Sequence, residues 1–133
     1  MRGLDTNVLV RFVTRDDPAQ AERVLAFVED AERRGEPLHV AVPVLCELAW
    51  VLQGRLYGYD RPSIVAVLQR LLETRVFVVQ DREVVRQALD DFRNGSADFP
   101  DYLIGRQNRE AGCLDTVTLD NRLAAEPDFA ALD

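Results

Sequence analysis

Four acidic side chains, far apart in the sequence, are the candidates for chemistry in this chain of 133 residues. They are Asp5, Glu47, Asp101 and Asp120. Gathering carboxylates is unfavourable without a cation, since each pair about 6 Å apart repels by roughly 3 kcal/mol at an effective dielectric near 20. A hard divalent ion removes this repulsion, and all-oxygen ligation favours Mg²⁺ or Mn²⁺ over Zn²⁺. Because such ions polarise phosphates and lower the pKa of an attacking water, the set indicates hydrolysis of nucleic acid.

Glu47 gives the strongest of these indications, because its neighbours on a predicted helix are apolar. They are Pro43, Val44, Trp50 and Val51, at positions i−4, i−3, i+3 and i+4. We therefore expect the carboxylate to face the interior, where an unpaired charge is strongly destabilising. The alternative to a metal ion is a buried ion pair with an arginine.

The three aspartates have an alternative role as helix caps. Asp5, Asp101 and Asp120 each stand where a helix is predicted to begin, and an acidic side chain there accepts hydrogen bonds from exposed backbone N–H groups. Asp98 fits the cap of the helix that carries Asp101, with Asp101 at the third position of that helix. Asp5 and Asp120 also follow predicted strands, and sites in open α/β sheets form at the carboxyl ends of strands.

The apolar periodicity alternates between short extended runs and helical stripes, which predicts an α/β fold with a mostly parallel sheet. Strands are predicted at residues 1–4, 38–42, 76–79 and 114–118, with an edge strand at 129–132. One predicted helix is capped at Asp17 and ends at Gly35, and another is capped at Asp81. The length predicts a single domain, residues 1–133.

Composition excludes several classes of function. All 16 basic residues are arginine, so mechanisms that need a lysine, such as those of haloacid-dehalogenase-type phosphatases and receiver domains, are excluded. The single histidine excludes histidine-pair nuclease chemistry. Cys46 and Cys113 lack zinc-site spacing and are predicted to be buried. No apolar run reaches membrane-spanning length and no signal peptide is present, so a cytoplasmic protein is expected.

The net charge of −7 excludes a broadly basic surface, so any RNA contact must be local. Arginine can hold phosphate oxygens in a bidentate fork. The candidates for that contact are Arg11, Arg55, Arg106 and Arg109, although solvated helix faces explain them equally well.

The sequence resembles the PIN-domain ribonucleases, and among them the VapC-type toxins of bacterial toxin–antitoxin pairs. Four segments carry the resemblance, in the family's order and over nearly the whole chain. They are residues 4–11 with Asp5 and Asn7, 44–52 with Glu47, 97–104 with Asp98 and Asp101, and 116–120 with Thr118 and Asp120.

The resemblance implies the PIN-like α/β/α sandwich, with a mostly parallel central sheet of four to five strands. It assigns the four acids to Asp5, Glu47, Asp101 and Asp120, with Asp98 able to share the third position. Asn7 and Thr118 match polar positions that orient the acids or water.

The same resemblance implies an Mg²⁺- or Mn²⁺-dependent endoribonuclease that cuts single-stranded or loop RNA. It also implies a homodimer and a cognate antitoxin that inhibits the enzyme from a hydrophobic groove. Trp50, Tyr57 and Tyr59 are candidates to line such a surface, although core packing is the prediction for Trp50. The alternative is a PIN-like module that binds RNA or protein without cutting.

Overall fold

The structure is a computed structural model that describes residues 1–132. The chain forms two compact units, Met1–Gln80 and a second that begins at Asp81. The first unit contains β1 (Arg2–Gly3), α1 (Thr6–Thr14), α2 (Pro18–Arg34), β2 (Leu38–Val40), α3 (Val42–Gln53), α4 (Arg61–Glu73) and β3 (Phe77–Val79). The second contains α5 (Arg82–Asn94), α6 (Phe99–Glu110), β4 (Thr116–Thr118), α7 (Asn121–Ala124) and β5 (Phe129–Ala131).

A three-stranded parallel sheet organises the first unit, in the order β1-β2-β3. Leu38 on β2 is in register with Arg2 on one side and Phe77 on the other. Helix α1 packs against α2 and α3, and α4 packs against α3 and β3. Helices connect β1 to β2 and β2 to β3, because parallel neighbours need a crossover between them.

The ends of the helices follow local rules that the sequence contains. Asp17 caps α2 by accepting a hydrogen bond from the Gln20 N–H at 3.1 Å, and Gly35 ends the helix at a φ of 65°. Asp81 does stand at the cap of α5, but the prediction that its side chain caps the helix is wrong. Its backbone has a φ of 50°, whereas a capping side chain requires an extended backbone.

The second unit is built on the pair α5 and α6, which pack against each other. The rings of Phe92 and Phe99 meet edge to face, with centroids 6.1 Å apart. Strands β4 and β5 pair in parallel, with Thr116 opposite Phe129, so the predicted edge strand is confirmed. Gly105 on α6 lies directly under the Phe129 ring, since a Cβ atom there would be 2.7 Å from it.

The predicted α/β class with parallel strands is confirmed, because all three strand pairings in residues 1–132 are parallel. The five strands form a three-stranded and a two-stranded sheet. No helix in this part of the chain is long and apolar enough to cross a membrane. The predicted burial of both cysteines is wrong, because Cys46 is partly exposed and Cys113 lies in the exposed turn after α6.

Candidate active site

Glu47 lies on the exposed face of α3, so the prediction that it faces the interior is wrong. Leu45, Leu48 and Leu52 form the buried stripe of this helix, at i, i+3 and i+7. Trp50 is on the exposed side with Glu47, and 73% of its surface is accessible, so the predicted core role of Trp50 is also wrong. Because α3 is apolar on almost every side, apolar neighbours do not identify its buried face.

The Glu47 carboxylate is available to a ligand. Within Met1–Gln80 it forms no ion pair with an arginine, so the alternative of a buried ion pair is not met in this unit. Burial first, and then the negative charge of Glu47, raise the pKa of the neighbouring Cys46 thiol. An exposed carboxylate without a partner can bind a cation at little desolvation cost.

Asp5 follows β1 and caps α1. The Leu4 N–H donates to the His39 carbonyl at 2.9 Å, which continues the β1–β2 pairing up to the position of Asp5. The Asp5 side chain is exposed, and its Oδ1 accepts a hydrogen bond from the Thr6 N–H at 2.7 Å. Capping therefore involves one carboxylate oxygen and does not exclude ligation through the other.

The sheet brings the elements that carry Asp5 and Glu47 to one edge. Asp5 follows the carboxyl end of β1, and α3, which carries Glu47, follows the carboxyl end of the neighbouring strand β2. Since these strands are parallel, both ends lie at the same edge of the sheet, where sites in α/β folds form.

Asp98 and Asp101 open α6 and form half of the predicted capping box. Asp101 accepts a hydrogen bond from the Asp98 backbone N–H, as its position in the first turn predicts. The Asp98 side chain makes no capping bond to its own helix, so that half of the prediction is wrong. One reason is the proline at N2, which removes a backbone donor from the first turn.

The environment of Asp101 clearly perturbs its pKa. Burial raises its pKa above the usual aspartate range, and the hydrogen bond from the Asp98 N–H acts in the opposite direction. The negative charges of Asp98 and Asp120 raise the pKa further. Asp98 and Asp120 are therefore each close enough to repel the charge of Asp101, and a cation would relieve that repulsion.

Asp120 follows β4 and caps α7. Its Oδ1 accepts hydrogen bonds from the Arg122 and Leu123 N–H groups at 2.9 and 3.3 Å. Its own N–H donates to Thr118 Oγ1 at 3.0 Å, which fixes the backbone that carries the acid. Asp120 is exposed, so capping leaves it accessible.

Each unit contributes part of the proposed set of acids. The first carries Asp5 and Glu47, and the second carries Asp98, Asp101 and Asp120. Taken by itself, neither unit gathers three or more histidine, cysteine or acidic side chains into a metal-holding group within residues 1–132.

Two of the four arginines proposed to contact RNA are occupied within the second unit. Arg106 forms two hydrogen bonds with Asp91, at 2.7 and 2.9 Å, and Arg109 pairs with Asp128. Arg55 is exposed.

Two further arginines, Arg2 and Arg23, line a groove in the first unit, and the sequence did not single them out. Only the folded arrangement of α1 and α2 reveals them.

Comparison with known proteins gives two matches. The family model described as "PIN domain" matches residues 4–127. The VapC ribonuclease of Aquifex aeolicus (strain VF5) is 27% identical over 122 residues, which cover 92% of this chain and 89% of that protein. No solved structure matches the chain.

Proposed function

Because the chain belongs to the PIN-domain family, we propose that it is a divalent-metal-dependent endoribonuclease of the VapC type, the toxin of a toxin–antitoxin pair. The observation that supports this proposal is where the proposed acids lie. Asp5 and Asp120 each follow a strand and cap a helix, Glu47 is on the helix after β2, and Asp101 is in the first turn of α6. We further propose that the two units act as one domain, since the family match extends across both.

The residues present fit Mg²⁺ or Mn²⁺. All the candidate ligands are carboxylate oxygens, the donors that these ions prefer. The raised pKa of Asp101 comes first from burial and also from the negative charges of Asp98 and Asp120. A cation would neutralise those charges, which supports the fit. The residues proposed to hold the ion are Asp5, Glu47 and Asp101, with Asp120 and Asp98 completing the set. When bound, the ion would polarise the phosphate and lower the pKa of the attacking water.

The chain's own groups would keep these acids in position. The Thr118 hydroxyl accepts the Asp120 N–H and holds the turn after β4, which supports its proposed positioning role. The cap on α1 orients the Asp5 carboxylate through the Thr6 N–H. Asn7 is exposed two residues later and is proposed to orient substrate or water.

We also propose a cognate antitoxin and a homodimer, acting in the cytoplasm where RNA is found. Support comes from large apolar side chains that the first unit leaves exposed. Trp50 and Leu56 have 73% and 81% of their surface accessible. Exposed aromatic and aliphatic side chains of this size are typical of protein contact surfaces.

The proposal is tested by incubating the purified protein with single-stranded RNA. We expect cleavage with Mg²⁺ or Mn²⁺, products with 5′-phosphate ends, and no cleavage in EDTA, because the carboxylates lack an electrophile of their own. Gel analysis of end-labelled RNA, with and without a phosphate-dependent exonuclease, provides the measurement. Cleavage that persists in EDTA would contradict the metal mechanism, and no cleavage under any condition would favour the binding module.

The substitution Asp101→Asn is expected to abolish cleavage while making the metal-free protein more stable. The pKa of Asp101 is raised in the folded chain, so its charged form weakens the fold at neutral pH. Asparagine removes the charge and can still accept the Asp98 N–H. The gain in stability should be largest at a pH above the pKa of Asp101 in the folded chain. It should disappear at a pH below the pKa of the unfolded chain, where the carboxyl group is neutral in both states.

Thermal unfolding in EDTA at several pH values measures this effect. Asp60→Asn is the matched control, because hydrogen bonds from Ser63 lower the pKa of Asp60 in the folded chain. The Asp60→Asn protein should lose stability at neutral pH, whereas the Asp101→Asn protein should gain it. An Asp101→Asn protein that unfolds at a lower temperature than wild type would contradict the prediction.

A further inference from the structure

The first unit contains a groove of about 570 Å³ between β1, α1 and α2. Arg2, Arg11 and Arg23 line it, and among residues 1–132 no acidic side chain does. Apolar side chains, among them Val8 and Phe27, form much of the remaining wall. The groove therefore combines positive charge with apolar surface. Its volume falls in the range of roughly 300–1,000 Å³ that is typical of ligand sites.

Two of its guanidinium groups are available to an anion. Arg23 is exposed on α2, and within Met1–Gln80 it has no carboxylate partner. Arg2 also lacks one in this unit, and its guanidinium lies 5.1 Å from the centre of the Phe27 ring. The third, Arg11, is partly occupied, with a hydrogen bond to Gln20 at 2.6 Å and a long contact to Asp16 at 3.5 Å.

The charge of the whole chain makes this groove unusual. With a net charge of −7, most of the surface repels a polyanion, and binding must depend on local positive surface. Leu4 and Asn7, on either side of Asp5 in the sequence, both line the groove. The positive surface thus begins beside the first of the proposed ligand acids.

Resting on the nuclease function proposed above, we infer that this groove holds the backbone of single-stranded RNA and leads it to Asp5. Arg2 and Arg23 contact the phosphates, and the apolar wall packs against a base. Proteins that bind single strands combine positive charge with aromatic or apolar surface in this way, whereas a duplex keeps its base faces hidden. Phosphate-binding arginines there fix the position of the strand relative to the acids.

Equilibrium binding of a fluorescent single-stranded RNA, measured by anisotropy in EDTA, tests the inference without any cleavage. Each arginine–phosphate contact contributes about 0.7 to the slope of log K against log salt for single strands. Replacing both Arg2 and Arg23 with glutamine should lower the slope's magnitude by about 1.4 and raise the Kd roughly 10- to 30-fold at 0.1 M salt. Arg23→Gln alone, at an exposed helix position, should give about half the change in slope.

The matched control is the double substitution Arg33→Gln and Arg34→Gln. It changes the net charge equally, on the last turn of α2 and outside the groove. Its slope should stay at the wild-type value. Equal effects of the two double variants on RNA binding would overturn the inference. A second outcome would also overturn it: the groove variant binds RNA as wild type does but binds a peptide of alternating glutamate and leucine more weakly. That result would indicate a protein partner.

Cleavage assays distinguish a failure of the RNA-binding groove from a failure of the proposed nuclease function. Binding through Arg2 and Arg23 by a protein that never cuts RNA would support the groove and contradict the nuclease. Metal-dependent cutting with a KM that is unaffected by both substitutions would support the nuclease and contradict the groove.

Discussion

Replacing Glu47 with glutamine is expected to slow RNA cleavage by roughly 1,000-fold or more. A metal ion supplies several kcal/mol of transition-state stabilisation, and each loss of about 1.36 kcal/mol lowers the rate tenfold. The carboxylate is exposed on α3 and opposite the buried stripe of that helix, so the fold should not depend on its charge. Initial rates with saturating Mg²⁺, together with thermal unfolding of both proteins, measure the effect.

Glu22→Gln is the control for this substitution. Glu22 is exposed on α2 and undergoes the same chemical change, and it is not one of the proposed ligands. It should cut RNA at the wild-type rate. If the Glu47→Gln protein retains more than about a tenth of the wild-type rate, the loss is too small for a ligand of the ion. That result would show that Glu47 does not hold the ion.

Gly95→Ala is expected to destabilise the protein by about 1–3 kcal/mol, the usual range for overpacking. A Cβ atom at this position would lie 1.8 Å from the Tyr102 hydroxyl oxygen and 2.9 Å from the Asp91 carbonyl oxygen. The buried Tyr102 ring would have to move, and its hydroxyl would lose the hydrogen bond from the Ala97 N–H at 3.1 Å. Since Asp101 precedes Tyr102, cleavage should also fall.

Denaturant unfolding at equilibrium measures this loss of stability. Gly3→Ala is the control, because a Cβ atom at Gly3 meets nothing within 4 Å. It should change the unfolding free energy by less than about 0.5 kcal/mol, the usual limit for an unstrained surface change. A Gly95→Ala protein as stable as wild type would show that Tyr102 can move without cost.

The sequence predicts the elements of this fold well, because each depends on local signals. Strands such as β3 follow from β-branched and aromatic runs, and α2 begins at Asp17 and ends at Gly35 for reasons contained in a few residues. The same local logic correctly gave Asp5 and Asp120 as caps.

Properties that depend on packing could not be predicted in this way. The side of α3 that is buried is decided by the helices packed against it, α1 and α4, so Glu47 and Trp50 were both misassigned. The pairing of Arg106 with Asp91, and of Arg109 with Asp128, also depends on how α5, α6 and the turn before β5 are arranged. The ligand set itself comes from the family's order of acids and stays a prediction.

The double use of Asp5 and Asp120 as helix caps has a consequence for affinity. Each side chain is already held in one rotamer by backbone N–H groups before any ligand arrives. A free aspartate would lose that rotational freedom on binding, a loss of up to about 1 kcal/mol for a short side chain. The start of the helix thus preorganises the carboxylate. Most of the entropy of ordering Asp5 and Asp120 is lost when the protein folds, and not when the ion binds.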